Sequence, residues 1–235
     1  MLKVFKSEQL ALAIAKEMLL GLEVENPVFC LASGSTPAKS YDIFAKEVMR
    51  KGVALDKLRI VSLDEWVGVE KSNVGSCYQM LNQDLFLKMG LDAKQVIFYD
   101  GMASDLEAEG ARIDDFIKQN PITFSLMGVG MNGHIGLNEP GFPSRLQSSV
   151  VTLSDTTRKV AQKYFKEETE LSQGITLGLG QIIESKRVIV AVTGAHKAAI
   201  MKEIFSASGH ERPAGQLLNY THIDFYLDEE AAKYL

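Results

Sequence analysis

The chain has 235 residues, 46% of them hydrophobic and 23% charged, with a formal net charge of −5. That is the composition of a soluble globular protein with enough chain for one full core, and an acidic balance without a basic block speaks against a nucleic-acid partner. No apolar run reaches membrane-spanning length and the opening Met1-Leu2-Lys3-Val4-Phe5-Lys6 lacks a signal-peptide pattern, so a cytoplasmic protein with no membrane partner is expected.

Short apolar runs alternate with helical patterns along the chain. Leu2 to Phe5 reads as a strand, and Ser7 as the cap of a helix in which Leu10, Ile14 and Met18 share a face. Pro27 to Ala32 reads as a buried strand, followed by Ser33-Gly34-Ser35-Thr36-Pro37 and a helix to about Lys51. Arg59 to Leu63 is a strand that ends in Asp64-Glu65-Trp66, with a helix then expected over Val74 to Met89. Gln95 to Tyr99 is a short strand, Leu106 to Gln119 a helix, and Ile122 to Met127 a strand.

Beyond it, Val150 to Leu153 reads as strand and Asp155 to Glu170 as one amphipathic helix whose start is Ser154-Asp155-Thr156-Thr157. A short helix over Leu177 to Glu184, a strand over Arg187 to Val192 and a helix over Ala195 to Phe205 follow. Ile223 to Leu227 is a last strand before a short acidic tail helix. Repeated strand-helix units with continuously apolar strands imply an α/β fold with a mostly parallel sheet covered on both faces. Nothing marks a linker, so residues 1–235 are read as a single domain.

The chemistry concentrates where the Ile122–Met127 strand empties into Gly128-Val129-Gly130-Met131-Asn132-Gly133-His134-Ile135-Gly136-Leu137-Asn138-Glu139-Pro140. Open α/β sheets place their sites at such strand ends. Glycines such as Gly130 let a ligand approach the backbone, and His134 titrates near neutrality, which suits proton shuttling. A lone histidine is usually structural, but one held between Gly133 and Gly136 is poorly placed for packing, and Glu139 is close enough in a compact loop to orient it. The letters G-x-G-x-x-G also occur here. Pro140, Gly141 and Pro143 follow too soon for the helix that a dinucleotide fingerprint requires, so no nicotinamide cofactor is expected.

Three other segments join the argument. Ser33, Gly34, Ser35 and Thr36 can present N–H and O–H donors to an oxyanion at a helix N-terminus, although the same letters make a plain helix cap. Asp64 and Glu65 close a strand and point to opposite sides, so one can face a pocket as a general base; a helix cap or surface ion pair is the bland alternative. Lys197, opening the helix after Arg187–Val192, can reach an anion across the strand end, whereas Lys163 alone reads as an ordinary surface lysine. Cys30 and Cys77 are the only two cysteines and are expected to be reduced, in or near the core. The four histidines form no H-x-x-x-H or H-E-x-x-H pair, so no metal site is expected.

Taken together, Ser33-Gly34-Ser35-Thr36-Pro37, Leu63-Asp64-Glu65-Trp66-Val67-Gly68, the Gly128–Pro140 loop and Gly194-Ala195-His196-Lys197 resemble the glucosamine-6-phosphate deaminase/isomerase family, in the family's order over most of the chain. The specific part is Gly133-His134-Ile135 with Asn138-Glu139-Pro140. The resemblance implies a Rossmann-like three-layer α/β/α sandwich. It implies an enzyme, a hydrolase acting on a C–N bond with isomerisation, that turns glucosamine 6-phosphate and water into fructose 6-phosphate and ammonia in amino-sugar metabolism without a cofactor.

Carried over by motif, Asp64 moves the proton between C2 and C1. His134 opens the pyranose, supported by Asn132 and Glu139. Ser33, Gly34, Ser35, Thr36, Gly130, Lys163 and Lys197 hold the sugar phosphate, and a helical lid is expected around residues 145–185, chiefly Asp155 to Phe165. Two departures follow from the alignment: Asn132 stands where many members carry aspartate, and Lys163 where they carry arginine, a point charge in place of a bidentate fork. Ser149 and Val151 replace the basic residues of allosteric members, so no activation by N-acetylglucosamine 6-phosphate is expected. A homo-oligomer stays open.

Two rivals are weighed. A 6-phosphogluconolactonase shares the fold and the glycine-histidine loop but continues it with Ala-Ser-Leu-Phe-Pro, unlike Leu137-Asn138-Glu139-Pro140. A non-catalytic sugar-phosphate sensor needs a DNA-binding segment, for which the start of the sequence leaves no room.

Overall fold

The computed structural model describes residues 1–142 and 146–235. In chain order the main elements are β1 (Leu2–Phe5), α1 (Ser7–Gly21), β2 (Val28–Leu31), α2 (Ser35–Lys51), β3 (Arg59–Val61), β4 (Asp64–Trp66), α3 (Cys77–Leu81), α4 (Leu87–Met89), β5 (Val96–Ile97), α5 (Leu106–Gln119), β6 (Phe124–Met127), β7 (Ser149–Thr152), α6 (Asp155–Ala161), β8 (Gln173–Thr176), α7 (Leu179–Ile183), β9 (Val188–Val192), α8 (Ala198–Ile204), α9 (Pro213–Gln216) and β10 (Ile223–Asp228). Among the described residues, none of the helices is long and apolar enough to cross a membrane.

The strands form a seven-stranded sheet in the order β1-β10-β9-β6-β2-β3-β5, with every neighbouring pair parallel. β2, β6, β9 and β10 are buried along their whole length, as parallel strands covered on both faces must be. Alternate side chains feed two cores. Phe29 and Leu31 enter one with Leu10, Ile14, Met18 and Phe44, while Val28 and Cys30 enter the other with Val61, Met127 and Val190. This is the expected α/β/α sandwich. The crossovers from β2 run one way along the sheet to β3 and β5, and those from β6 run the other way to β9 and β10, so a switch point opens between β2 and β6.

Several expectations need correction. After Ser62 the chain leaves the main sheet, and Asp64–Trp66 pairs antiparallel with β8, which pairs with β7, giving a second, three-stranded sheet. No strand was expected at Gln173–Thr176. The expected helix over Asp155 to Glu170 ends at Ala161, with one 3-10 turn over Gln162–Tyr164. The Gln162 amide stops it by bonding both the N–H and the C=O of Thr169, and the Phe165 ring turns inward to lie against Gly75. The segment around 145–185 is therefore not a helical lid as a whole: Arg145 lies outside the described residues, and β7 and β8 belong to the second sheet.

Ser7 is the first residue of α1, not its cap; Lys6 occupies that place without a side-chain bond. The helix expected from Val74 starts at Cys77 and passes through a π-helical turn at Asn82–Phe86. The tail after Asp228 is turns, not helix.

Candidate active site

The C-terminal ends of β2, β6 and β9, together with β4 and α6, surround one pocket. Its lining includes Ser33, Ser35, Thr36, Asp64, Gly130, His134, Thr157, Lys163, Tyr164 and Lys197. Asp64 and His134, expected from separate loops, thus open into the same cavity. Asn132 and Glu139 stand behind His134, and Gly34 lies under Tyr164.

Asp64 and Glu65 do point to opposite sides. Glu65 is fully buried and accepts from the N–H groups of Trp66, Cys77 and Tyr78 and from the Ser76 hydroxyl, at 2.7–3.0 Å. It caps the N-terminus of α3, so the bland alternative holds for this residue. Asp64 faces the cavity, with the Cys77 thiol as its hydrogen-bonding neighbour. Burial, then the negative charge of Glu65, push its carboxyl up to about 7. A carboxylate poised there suits general-base work near neutrality. Cys77 and Cys30 are both free and buried, and Cys77 also lines the pocket.

The glycine loop explains where His134 sits. Its ring lies flat against Gly130, where a Cβ would run into the imidazole. A larger residue at 130 would displace the ring. His134 Nδ1 is 3.1 Å from the Thr157 hydroxyl of α6 and 3.8 Å from Glu139 Oε2, which puts the carboxylate beyond hydrogen-bond reach. Asn132 does not touch the ring. Its Oδ1 accepts from the His134 backbone N–H at 3.3 Å, and its Nδ2 donates to Glu139 Oε2 at 2.6 Å and to Ser154 Oγ at 3.1 Å. Ser154 N–H donates to the other Glu139 oxygen at 3.2 Å. Asn138 pins the loop from behind, its amide donating to Ile135 and Leu177 carbonyls at 2.9 Å each. Burial, opposed by Glu139 and assisted by Lys197, lowers the His134 pKa to about 4. The imidazole is therefore neutral at working pH.

Two lysines also line the pocket. The Lys197 ammonium donates to the Val129 carbonyl at 2.6 Å, and burial followed by repulsion from Lys163 lowers its pKa to about 8. Lys163 lines the same cavity and lies 4.8 Å from the centre of the Tyr164 ring. Gly34, at φ 96°, starts α2 and aims its first turn at this region; Thr36 Oγ1 meets Thr193 Oγ1 at 3.4 Å. Two ammonium groups, clustered hydroxyls and a helix N-terminus can hold an anion.

Sequence reasoning passed over Thr157, Ser154, Tyr164, Thr193 and Cys77 as site residues. Ser154-Asp155-Thr156-Thr157 was read only as a helix start. That it is, since Ser154 Oγ accepts from Thr157 N–H at 3.2 Å. The signal for Thr157 was its place one turn into the helix that follows the site loop.

A parallel α/β sandwich with a carboxylate, a neutral imidazole and two lysines around one pocket at its switch point has the parts for proton transfer on an anionic ligand. The chain belongs to the glucosamine-6-phosphate isomerases/6-phosphogluconolactonase family, whose profile matches residues 7–225. A glucosamine-6-phosphate deaminase of Bacillus cereus (strain G9842) is 33% identical over 209 residues, covering 88% of this chain and 78% of that protein. The structure of a monomeric glucosamine-6-phosphate deaminase superposes with a TM-score of 0.92 at 28% identity, covering 100% of this chain and 99% of that one. A 6-phosphogluconolactonase of Trypanosoma brucei shares the fold at 22% identity, with a TM-score of 0.78 over 100% of this chain and 98% of that one.

Proposed function

We propose that the protein is a glucosamine-6-phosphate deaminase, releasing ammonia and fructose 6-phosphate from glucosamine 6-phosphate and water. The observation that carries this reading is the pairing of Asp64 and His134 in one cavity with Lys163 and Lys197 beside them. The phosphate is held by the two lysines and the Ser33–Thr36 loop. With the phosphate seated there, the sugar ring reaches toward His134 and Asp64.

The chemistry needs two proton carriers. The C2 hydrogen becomes acidic only after the pyranose opens, because an open-chain carbonyl is required to delocalise the resulting anion. Opening moves the O1 proton to O5, a task for an imidazole that is neutral at working pH. The Asp64 carboxylate then takes the C2 proton and delivers it to C1, while O1 gains a proton shed by the C2 ammonium; C2 thereby becomes an iminium, which adds water and expels ammonia to leave the ketone. Leu137-Asn138-Glu139-Pro140 supports this reading over the lactonase one. The deciding assay incubates the protein with glucosamine 6-phosphate and follows ammonia and fructose 6-phosphate together. Hydrolysis of 6-phosphogluconolactone without ammonia release from the amino sugar would reassign it.

Two expected outcomes arise directly. The pH profile of kcat/KM should be narrow and bell-shaped, rising through about 7 as Asp64 ionises and falling beyond about 8 as Lys197 loses its charge. A flat profile between pH 6 and 9 would remove both groups from the free enzyme's requirements. Lys197→Gln should weaken substrate binding about 10- to 150-fold, the worth of a hydrogen bond to a charged partner, with a smaller change in kcat. An unchanged KM would place the phosphate elsewhere.

A further inference from the structure

Asn132 puts an amide, not a carboxylate, in the loop before His134, Glu139 Oε2 stops 3.8 Å from Nδ1, and the hydrogen-bond chain behind the ring has a direction. The Asn132 amide has two N–H groups, one on Glu139 Oε2 and one on Ser154 Oγ. Ser154 Oγ also accepts from Thr157 N–H, so both its lone pairs are in use. Its own proton goes to Thr157 Oγ1, 3.1 Å away. Thr157 Oγ1 then has its hydroxyl proton to give, and His134 Nδ1 stands 3.1 Å from it.

We propose that Thr157 is the positioning residue of His134, and that the Asn132–Ser154–Thr157 chain holds the resting ring in the tautomer with its proton on Nε2 and a lone pair on Nδ1. Among the described residues Nε2 has no hydrogen-bond partner, so this N–H is the face the ring offers to the pocket. The resting histidine therefore meets the sugar as a donor. For Nε2 to accept the O1 proton the ring must carry its own proton on Nδ1, and the same hydroxyl, rotated, then accepts from it. A carboxylate at 3 Å would favour only that second form, whereas a hydroxyl serves both. Because Thr157 belongs to α6, which also carries Val160 and Ala161 over the pocket, the seating of α6 and the readiness of His134 are one event.

The mechanistic part of this inference rests on the deaminase reading; the tautomer does not. The test is nitrogen NMR of the full-length protein labelled with 15N-histidine at neutral pH, with His134 assigned by the signals lost in His134→Gln. The expected pattern is an imine-like Nδ1 and a pyrrole-like Nε2 in the wild type and in Thr157→Ser, and a mixed or reversed pattern in Thr157→Val. In the ammonia assay, Thr157→Val should lower kcat about 10- to 100-fold with KM little changed, and Thr157→Ser should restore it to within a few-fold.

A wild-type ring protonated on Nδ1, or a Thr157→Val protein with wild-type spectrum and kcat, overturns the proposal. If Thr157→Val does not fold, the wild-type and Thr157→Ser spectra decide it alone. The predicted spectrum in a protein that releases no ammonia would sustain the tautomer and dismiss the deaminase reading.

Discussion

Asp64→Asn should lower kcat on glucosamine 6-phosphate by about 10²- to 10⁴-fold, the range spanned by general-base catalysis, while leaving sugar-phosphate binding within a few-fold. It removes the one carboxylate that lines the cavity among the described residues; Glu65 cannot replace it, because four donors hold both its oxygens on the α3 terminus. The same substitution should make the protein more stable. In the fold the Asp64 carboxyl titrates near 7 instead of its ordinary 3.8. The folded state therefore binds more protons than the unfolded chain between those values, and stability falls as pH rises through them.

At pH 8 the buried anion costs on the order of 4 kcal/mol, which a neutral amide of the same shape avoids. The urea midpoint of Asp64→Asn should exceed that of the wild type at pH 8, and the gap should narrow toward pH 4. A variant that stays fully active, or one less stable than wild type at pH 8, would take Asp64 out of this role. Activity lost with stability gained is the signature of a group kept in an unfavourable place for its chemistry.

His134→Gln should fall by about 10²-fold or more on the pyranose, but only a few-fold on an open-chain analogue that lacks the C5 hydroxyl and cannot close that ring. The contrast isolates ring opening from the later C2 chemistry. Equal slowing on both would show that the imidazole serves another step. The comparison is clean at pH 7, since His134, with a pKa near 4, is neutral there and its charge does not change across the working range.

The main sheet was legible because its strands are short, continuously apolar and followed by glycine or hydroxyl residues: Val28–Leu31 before Ser33-Gly34, Phe124–Met127 before Gly128, Val188–Val192 before Gly194. Burial on both faces leaves that mark in any sequence. The second sheet was hidden for the opposite reason. Asp64-Glu65-Trp66 and Gln173-Gly174-Ile175-Thr176 carry polar residues whose strand geometry comes from pairing with each other, over a hundred positions apart. Local pattern cannot report such a contact.

The long helix read over Asp155 to Glu170 failed similarly. Its apolar spacing continues past Ala161, but a side-chain amide from Gln162 competes successfully for the backbone of Thr169. Within the site, residues with a distinctive chemistry, Asp64, His134 and Lys197, were found. Thr157 was not, since a threonine beside a cap looks the same whether or not an imidazole rests on it.

The pocket straddles both sheets. Ser33–Thr36, His134 and Lys197 follow strands of the large parallel sheet, whereas Asp64 is carried on β4 of the small antiparallel one and Lys163 lies between its β7 and β8. Any shift of the small sheet against the large one therefore moves Asp64 relative to His134 and Lys163 relative to Lys197 together.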